Sequence, residues 1–320
     1  MRSNETAAMQ TQPLPKVSRR KAAQKEWKRN YDLYLLLIPG IVFFLIFRYI
    51  PMGGYIIAFK DYNIFQGLWA SEWAGLQYFK EMVELPNFWP IIRNTLLLNL
   101  WSLLFGFPAP IILALMLNEL RARYFKRFTQ SLLYVPHFMS WIILGGIVYN
   151  VLSPENGVVN HLLRAVGLSD IYFMIDDFWW TASYVFSGIW QSAGWGTILY
   201  LAAMTAIDPA LYESAEMDGA GRFNKMWFIT IPGIAPTILI LLIINIGNLT
   251  TIGFEHIFAL QNPIVLDISQ VISTFIYSYG IVQGNYSITT AVDTVQSLVN
   301  LVLILGANYT VRRAGGQGLW

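Results

Sequence analysis

Long apolar runs constrain this chain more than any other feature. A helix needs roughly 20 mainly apolar residues to cross the hydrocarbon core of a bilayer. Six stretches of that kind occur, at about 33–50, 91–116, 132–152, 182–204, 231–254 and 288–309. They are too long and too apolar for core strands, and no ten-residue segments alternate with period two, as a β-barrel requires. Only 12% of the 320 residues are charged, about half the share of a soluble domain. That composition excludes a disordered chain and an ordinary cytosolic enzyme. The expected fold class is an all-α polytopic membrane protein with six transmembrane helices.

The spans are punctuated. Pro108 and Pro110 sit inside the second and Pro136 opens the third, so kinks or restarts are expected there. Gly145, Gly146, Gly194 and Gly196 are candidates for close helix approach, against the alternative of ordinary packing. Basic residues are sorted along the chain. Sixteen of the 21 fall in the first 31 residues, in the loops after the second and fourth spans, and at the end of the chain. The positive-inside rule then places both termini in the cytoplasm. The basic stretch before Trp27 leads into the first apolar run, and no small-residue cleavage site follows. It reads as an anchor and not a removed leader.

Several chemistries lack their residues. There is no cysteine, and His137, His161 and His256 are scattered, so no metal site and no catalytic cluster is expected. A phosphate-cradling loop needs a glycine-rich run ending in Gly-Lys-Ser/Thr, and none exists. No nucleotide and no other cofactor is expected in this chain, and no nucleic-acid partner. Three outer loops, about 51–90, 153–181 and 255–287, carry Trp69, Trp73, Trp89, Trp179 and Trp180. These suit an interfacial aromatic belt, or contact with a docked protein or a sugar ring.

The loop over 205–230 is the unusual one. Asp208 before Pro209 is a helix-start signal. A short helix to about Met217 follows, then Gly219 for a sharp turn, then an amphipathic stretch from Phe223 to Ile229. Asp208, Glu213, Glu216 and Asp218 mark this knob as solvated or protein-docked. Glu213-Ser214-Ala215, then Asp218-Gly219-Ala220, then Ile231-Pro232 and Pro236 resembles the EAA signature of ABC-importer permeases. Ser214 stands where the family has Ala, and Ile231 where it has Leu. YIPMGGYIIAFKDYNIF (49–65), RNTLLL (93–98), GFPAPIILALMLNEL (106–120), YVPHFMSW (134–141), LSPENGVVN (152–160) and GGQGLW (315–320) are similar to the carbohydrate branch, and most of all to its alginate-importer permeases.

The resemblance implies a type-I (MetI-like) permease fold of the bacterial inner membrane. A basic cytoplasmic segment (1–31) precedes a first helix with its outer loop (32–90). A core of five helices with the coupling loop follows (91–310), then a cytoplasmic tail (311–320). It implies that Glu213, Ser214, Ala215, Asp218, Gly219 and Ala220 couple the chain to an ATPase. Glu213 would pair with a base there, and the small residues would permit close docking. The implied partners are a second related permease, two ATP-binding subunits holding ATP and Mg, a periplasmic solute-binding protein and an oligo- or polysaccharide such as alginate. Gln191, Trp195, Asn245, Asn248, Gln296 and Asn300 are candidate pathway residues, with interhelical hydrogen bonding as the alternative. Asp293 shares the stripe of Gln296 and Asn300, yet would repel a polyanion. Arg93 and Arg48, at span edges, are better placed to attract one. A permease for another complex saccharide, an ion-coupled transporter using Asp293, a membrane enzyme and a scaffold are the competing classes.

Overall fold

The computed structural model describes residues 29–316 and 318–319. All but the last three residues of the basic 1–31 segment lie outside the described residues. The chain divides into two compact units, 1–55 and 56–320. In the first, α1 (Tyr31–Phe44) continues through a π-helical turn, Leu45–Tyr49, into Ile50–Met52. It is apolar all round and exposed throughout, the composition of a helix that faces hydrocarbon or other apolar protein.

In the second unit, two short strands, β1 (Lys60–Asp61) and β2 (Glu72–Trp73), pair antiparallel, with Lys60 opposite Trp73. This ladder is the one departure from an all-helical chain among the described residues. Ser287 ties it to the last helix: its hydroxyl donates to the Lys60 carbonyl at 2.7 Å and accepts from the Tyr62 N–H at 3.0 Å. Helix α2 (Gln77–Glu84) leads to α3 (Phe88–Trp101), a π turn (Ser102–Gly106) and α4 (Pro108–Glu119). Helices α5 (Arg123–Tyr134) and α6 (Trp141–Leu152) follow, then the short α7 (Val158–Ala165). The longest helix is α8 (Asp177–Thr205). The knob consists of α9 (Pro209–Met217) and α10 (Arg222–Lys225). A π turn (Met226–Thr230) opens α11 (Ile231–Gly247). The chain closes with α12 (Phe254–Leu260), α13 (Ile272–Phe275) and α14 (Tyr286–Arg313).

Four helical runs are long and apolar enough to cross a bilayer: Tyr31–Phe59, Phe88–Glu119, Arg222–Gly247 and Tyr286–Arg313. The stretch read as the third span, where Pro136 leads us to expect a kink or restart, is broken. Arg123–Phe138 and Trp141–Leu152 meet at 106°, and together would make a fifth crossing. Pro136 sits in the 3₁₀ turn that ends the first segment, and the chain then runs extended through Met139 and Ser140 before the second begins. The run read as the fourth span lies within α8. At 29 residues α8 is about 43 Å long, enough to cross. It falls below the apolar threshold because Ser183, Ser187, Gln191, Ser192 and Thr197 interrupt it. The fifth run ends at Gly247, seven residues before the expected Phe254.

The prolines explain the π turns. Three of the four among the described residues end two positions before a proline: Tyr49 before Pro51, Gly106 before Pro108, Thr230 before Pro232. Proline donates no N–H, and its ring crowds the carbonyl four residues back. That carbonyl belongs to Phe47, Leu104 or Phe228, each inside the widened turn. An i→i+5 turn moves it aside without breaking the helix.

Close approach concentrates at α8. A β-carbon on Gly194 would sit 2.0 Å from the Leu133 carbonyl oxygen, and one on Gly196 would sit 2.9 Å from Pro110. Gly145 meets Ala259 in the same way, whereas Gly146 meets no other part of this chain within 4 Å. One buried cluster joins Leu98, Val148, Trp180, Tyr184, Ile257 and Leu260. A second joins Ala114, Leu115, Tyr200, Met204 and Ile234. Between them the helices stand apart around a cavity.

Candidate functional site

The cavity measures about 470 Å³ and lies among α3, α4, α6, α8, α11 and α12. Prolines and glycines keep it open: the π turn before Pro108 widens the α3–α4 wall, and Gly188 and Gly196 remove side chains from the α8 wall. Of the expected pathway residues, Gln191, Asn245 and Asn248 line it. Asn99, Trp141, Tyr184 and His256 line it too, and sequence reasoning missed them as pathway candidates. Asn99 carried a readable signal, since an amide inside an apolar run is costly unless it has a partner.

The amides share one arrangement. The side-chain nitrogen of Asn99 donates to the Leu249 carbonyl at 2.6 Å, that of Asn245 to Leu241 at 2.8 Å, and that of Asn248 to Ile244 at 3.1 Å. The Gln191 nitrogen points to the His137 carbonyl at 3.5 Å. The opposite wall is aromatic. His256 is sandwiched between Trp141 and Tyr184, with centroids 3.6 and 4.1 Å away, and its Nε2 lies 3.1 Å from the Ser187 hydroxyl. Trp180 continues the stack and donates to the Leu260 carbonyl at 2.9 Å. The lining contains no Lys, Arg, Asp or Glu.

The other expected pathway residues are placed elsewhere. Trp195 stacks on His137 at 4.7 Å and edges Tyr134 and Phe138, outside the cavity lining. Gln296 donates to the Thr250 carbonyl, and Asn300 accepts from the Thr250 hydroxyl at 2.6 Å and donates to that of Thr251 at 2.8 Å. Their stripe on α14 therefore holds the 248–251 turn that ends α11. Arg93 is exposed, and its guanidinium donates to the Asn94 side-chain oxygen at 3.2–3.3 Å. Asn94 in turn donates to the Asp267 and Gln270 carbonyls. Arg93 thus supports a loop anchor and does not line the cavity.

The knob forms as its sequence requires. Asp208 caps α9 by accepting from the Ala210 N–H at 2.9 Å, with Pro209 in the first turn. At the other end Gly219 takes φ +77°. The Gly219 N–H reaches the Glu216 carbonyl at 3.0 Å and the Ala220 N–H the Ala215 carbonyl at 2.8 Å. Those two bonds are a Schellman cap, so Ala215, Asp218, Gly219 and Ala220 together terminate the helix. Glu213 and Ser214 remain exposed beside Met217, which is 89% exposed.

Two contacts brace α9 against the entry to α11. The Tyr212 hydroxyl lies 2.9 Å from that of Thr230, and Lys225 pairs with Glu216. The Lys225 ammonium holds the Glu216 carboxyl below its ordinary value. Two clefts separate the knob from the end of α4, one lined by Asn118, Glu213 and Glu216, the other by Arg121, Arg222 and Lys225. No group of three or more metal-ligating side chains occurs among the described residues.

Known proteins match this arrangement. The family described as binding-protein-dependent transport system inner membrane component matches residues 106–315. Protein LplB of Bacillus subtilis (strain 168) is 46% identical over 293 residues, covering 92% of each chain. The polygalacturonan/rhamnogalacturonan transport system permease protein YteP of the same organism is 43% identical over 288 residues, covering 90% of each. Two crystal structures are similar at 42% identity. One is a bacterial ABC transporter involved in the import of the acidic polysaccharide alginate, with TM-score 0.82 over 91% of this chain and 99% of that one. The other is a bacterial alginate ABC transporter in complex with an alginate pentasaccharide-bound periplasmic protein, with TM-score 0.83 over 92% and 99%. The family match over 106–315 and relatives above 40% identity along nine-tenths of its length show that the chain belongs to the inner membrane permease components of binding-protein-dependent ABC transport systems.

Proposed function

We propose that this chain is the membrane-spanning subunit of an ATP-driven importer for oligosaccharides of an acidic polysaccharide, alginate or a related uronate polymer. The substrate class rests on the polymers that YteP and the alginate transporter are named for. A second related permease encloses the path from the other side, two ATP-binding subunits hold ATP and Mg, and a periplasmic protein delivers the saccharide. Both termini and the knob lie in the cytoplasm, and the cavity is this chain's share of the path through the inner membrane. The segments 1–31, 32–90, 91–310 and 311–320 serve as cytoplasmic lead, first span with outer loop, core and tail.

The observation that carries this reading is the knob. Its helix is capped at both ends, exposes Glu213, Ser214 and Met217, and is braced on Thr230 and Lys225 at the foot of α11. A rigid lever of that form passes displacement from a docked ATPase into α11, whose Asn245 and Asn248 line the cavity. ATP-driven closure of the ATPase pair opens the path outward, and hydrolysis resets it. The test is to copurify the complex, reconstitute it, and measure ATPase activity with its binding protein loaded with alginate or polygalacturonate oligosaccharides. Several-fold stimulation by a uronate saccharide supports the reading. Stimulation by an amino acid or metal substrate alone refutes it.

A further inference from the structure

We infer that this chain's half of the cavity reads the hydroxyl groups of its saccharide and leaves the carboxylates to be neutralised elsewhere. The inference rests on the cavity being the saccharide path. Asn99, Gln191, Asn245 and Asn248 each turn the amide nitrogen toward a backbone carbonyl. The nitrogen must face that way, since an amide oxygen there would set two acceptors together. The amide oxygens have no hydrogen-bond donor among the described residues, and the four side chains line the cavity. Each amide keeps one further N–H, so these four side chains offer two acceptor lone pairs for every free amide donor.

A sugar hydroxyl donates one hydrogen and fits such a wall. An ionised carboxylate accepts only, and here it faces unpaired amide oxygens, a minority of neutral donors and no Lys or Arg in the lining. A carboxylate taken out of water without a cationic or hydrogen-bonding partner is costly. Arg93, the cation expected to attract a uronate, is turned to Asn94 instead. A uronate oligosaccharide in this cavity therefore presents hydroxyls to α8 and α11 and its carboxylates toward the second permease.

The test uses the reconstituted complex with its binding protein and two probes: alginate tetrasaccharide and its carboxyl-reduced, uncharged counterpart. Copurification and basal ATPase rate check assembly of every variant. Replacing Asn245 and Asn248 together by Leu is expected to lower uptake of both probes by the same factor, about tenfold for two lost hydrogen bonds. Replacing both by Ser is expected to recover a measurable share of that loss. A serine hydroxyl donates to the carbonyl four residues back and still presents lone pairs. A loss confined to the charged probe overturns the inference and assigns the amides to carboxylates, and no recovery with Ser overturns it by showing that acceptor lone pairs at these positions are not what the saccharide uses. Full uptake in the Leu variant while Ser192→Trp blocks transport also overturns it, leaving the path in place. Full uptake in both the Leu variant and Ser192→Trp removes the cavity from the path, and with it the reading on which the inference rests.

Discussion

Gly219 offers a sharp test of the lever. Its φ of +77° lies in the left-handed region, and a β-carbon added there meets nothing within 4 Å. Gly219→Ala therefore costs backbone strain alone, about 1–2 kcal/mol, with no clash to confuse the result. That energy corresponds to a roughly five- to thirtyfold fall in the ratio of intact to opened Schellman turn. The bonds at risk are Gly219 to Glu216 and Ala220 to Ala215. Gly221 is a control two residues away: its φ is −69° and its β-position is also open. The assay is saccharide imported per ATP hydrolysed in proteoliposomes. Gly219→Ala should measurably lower that ratio while hydrolysis continues. Gly219→Asn should lose less, since Asn tolerates the left-handed region, and Gly221→Ala should match the unmodified chain. Unchanged coupling in Gly219→Ala would refute the claim that the capped turn transmits the motion.

Further expectations follow from other positions. Gly194→Ala places a methyl against the Leu133 carbonyl, a backbone group that cannot rotate away. The overpacking should cost about 1–3 kcal/mol or more, read as a lower unfolding temperature of the purified complex. Asn160 is fully buried and binds the Leu152, Ser153 and Ile171 carbonyls and the Ile171 N–H. Asn160→Ala should cost about 1–3 kcal/mol per buried group left unpaired, seen as faster proteolysis of the 153–173 loop. The Glu216 carboxyl is depressed by Lys225. Its contribution is therefore present above the ordinary carboxylate value and is lost as pH falls through the depressed one. The hydrogen-exchange protection of α9, corrected for the pH dependence of intrinsic exchange, should fall on acidification below the ordinary carboxylate range, and Glu216→Gln should abolish that step.

The knob was the most legible region of the chain because its signals are local. Asp208, Pro209 and Gly219 act on the backbone within four residues of themselves, so their spacing alone gave α9 its bounds and its turn. The resemblance to the EAA signature gains a physical content here: its second half, Asp218-Gly219-Ala220, is the helix cap. The long apolar runs were legible as well, since hydrophobicity over 20 residues survives small errors at the edges. The third run was not, because a proline can either kink one helix or separate it into a pair of segments. Only the packing of Leu133 against Gly194 and of Trp141 against His256 decides which.

The polar stripe of α14 marks a more general limit. Gln296 and Asn300 share a face, and spacing assigns the face without naming its neighbour. The neighbour is set by the early end of α11 at Gly247, which the polar Asn248, Thr250 and Thr251 and the nearby Gly253 signal although the run reads on to Phe254. A helix that stops inside a membrane frees carbonyls that no water can satisfy. Asn99 takes the Leu249 carbonyl, Gln296 takes that of Thr250, and Asn300 joins the Thr250 and Thr251 hydroxyls. Three amides from two other helices thus converge on one break. An intramembrane amide is in this chain first a repair for interrupted backbone. It becomes a candidate for substrate contact where, as at Asn99, Asn245 and Asn248, it also borders the cavity. By that criterion Asn300→Leu should loosen the 248–251 turn and lower the unfolding temperature, while the ratio of charged to uncharged saccharide taken up stays constant. A shift in that ratio would return α14 to the path.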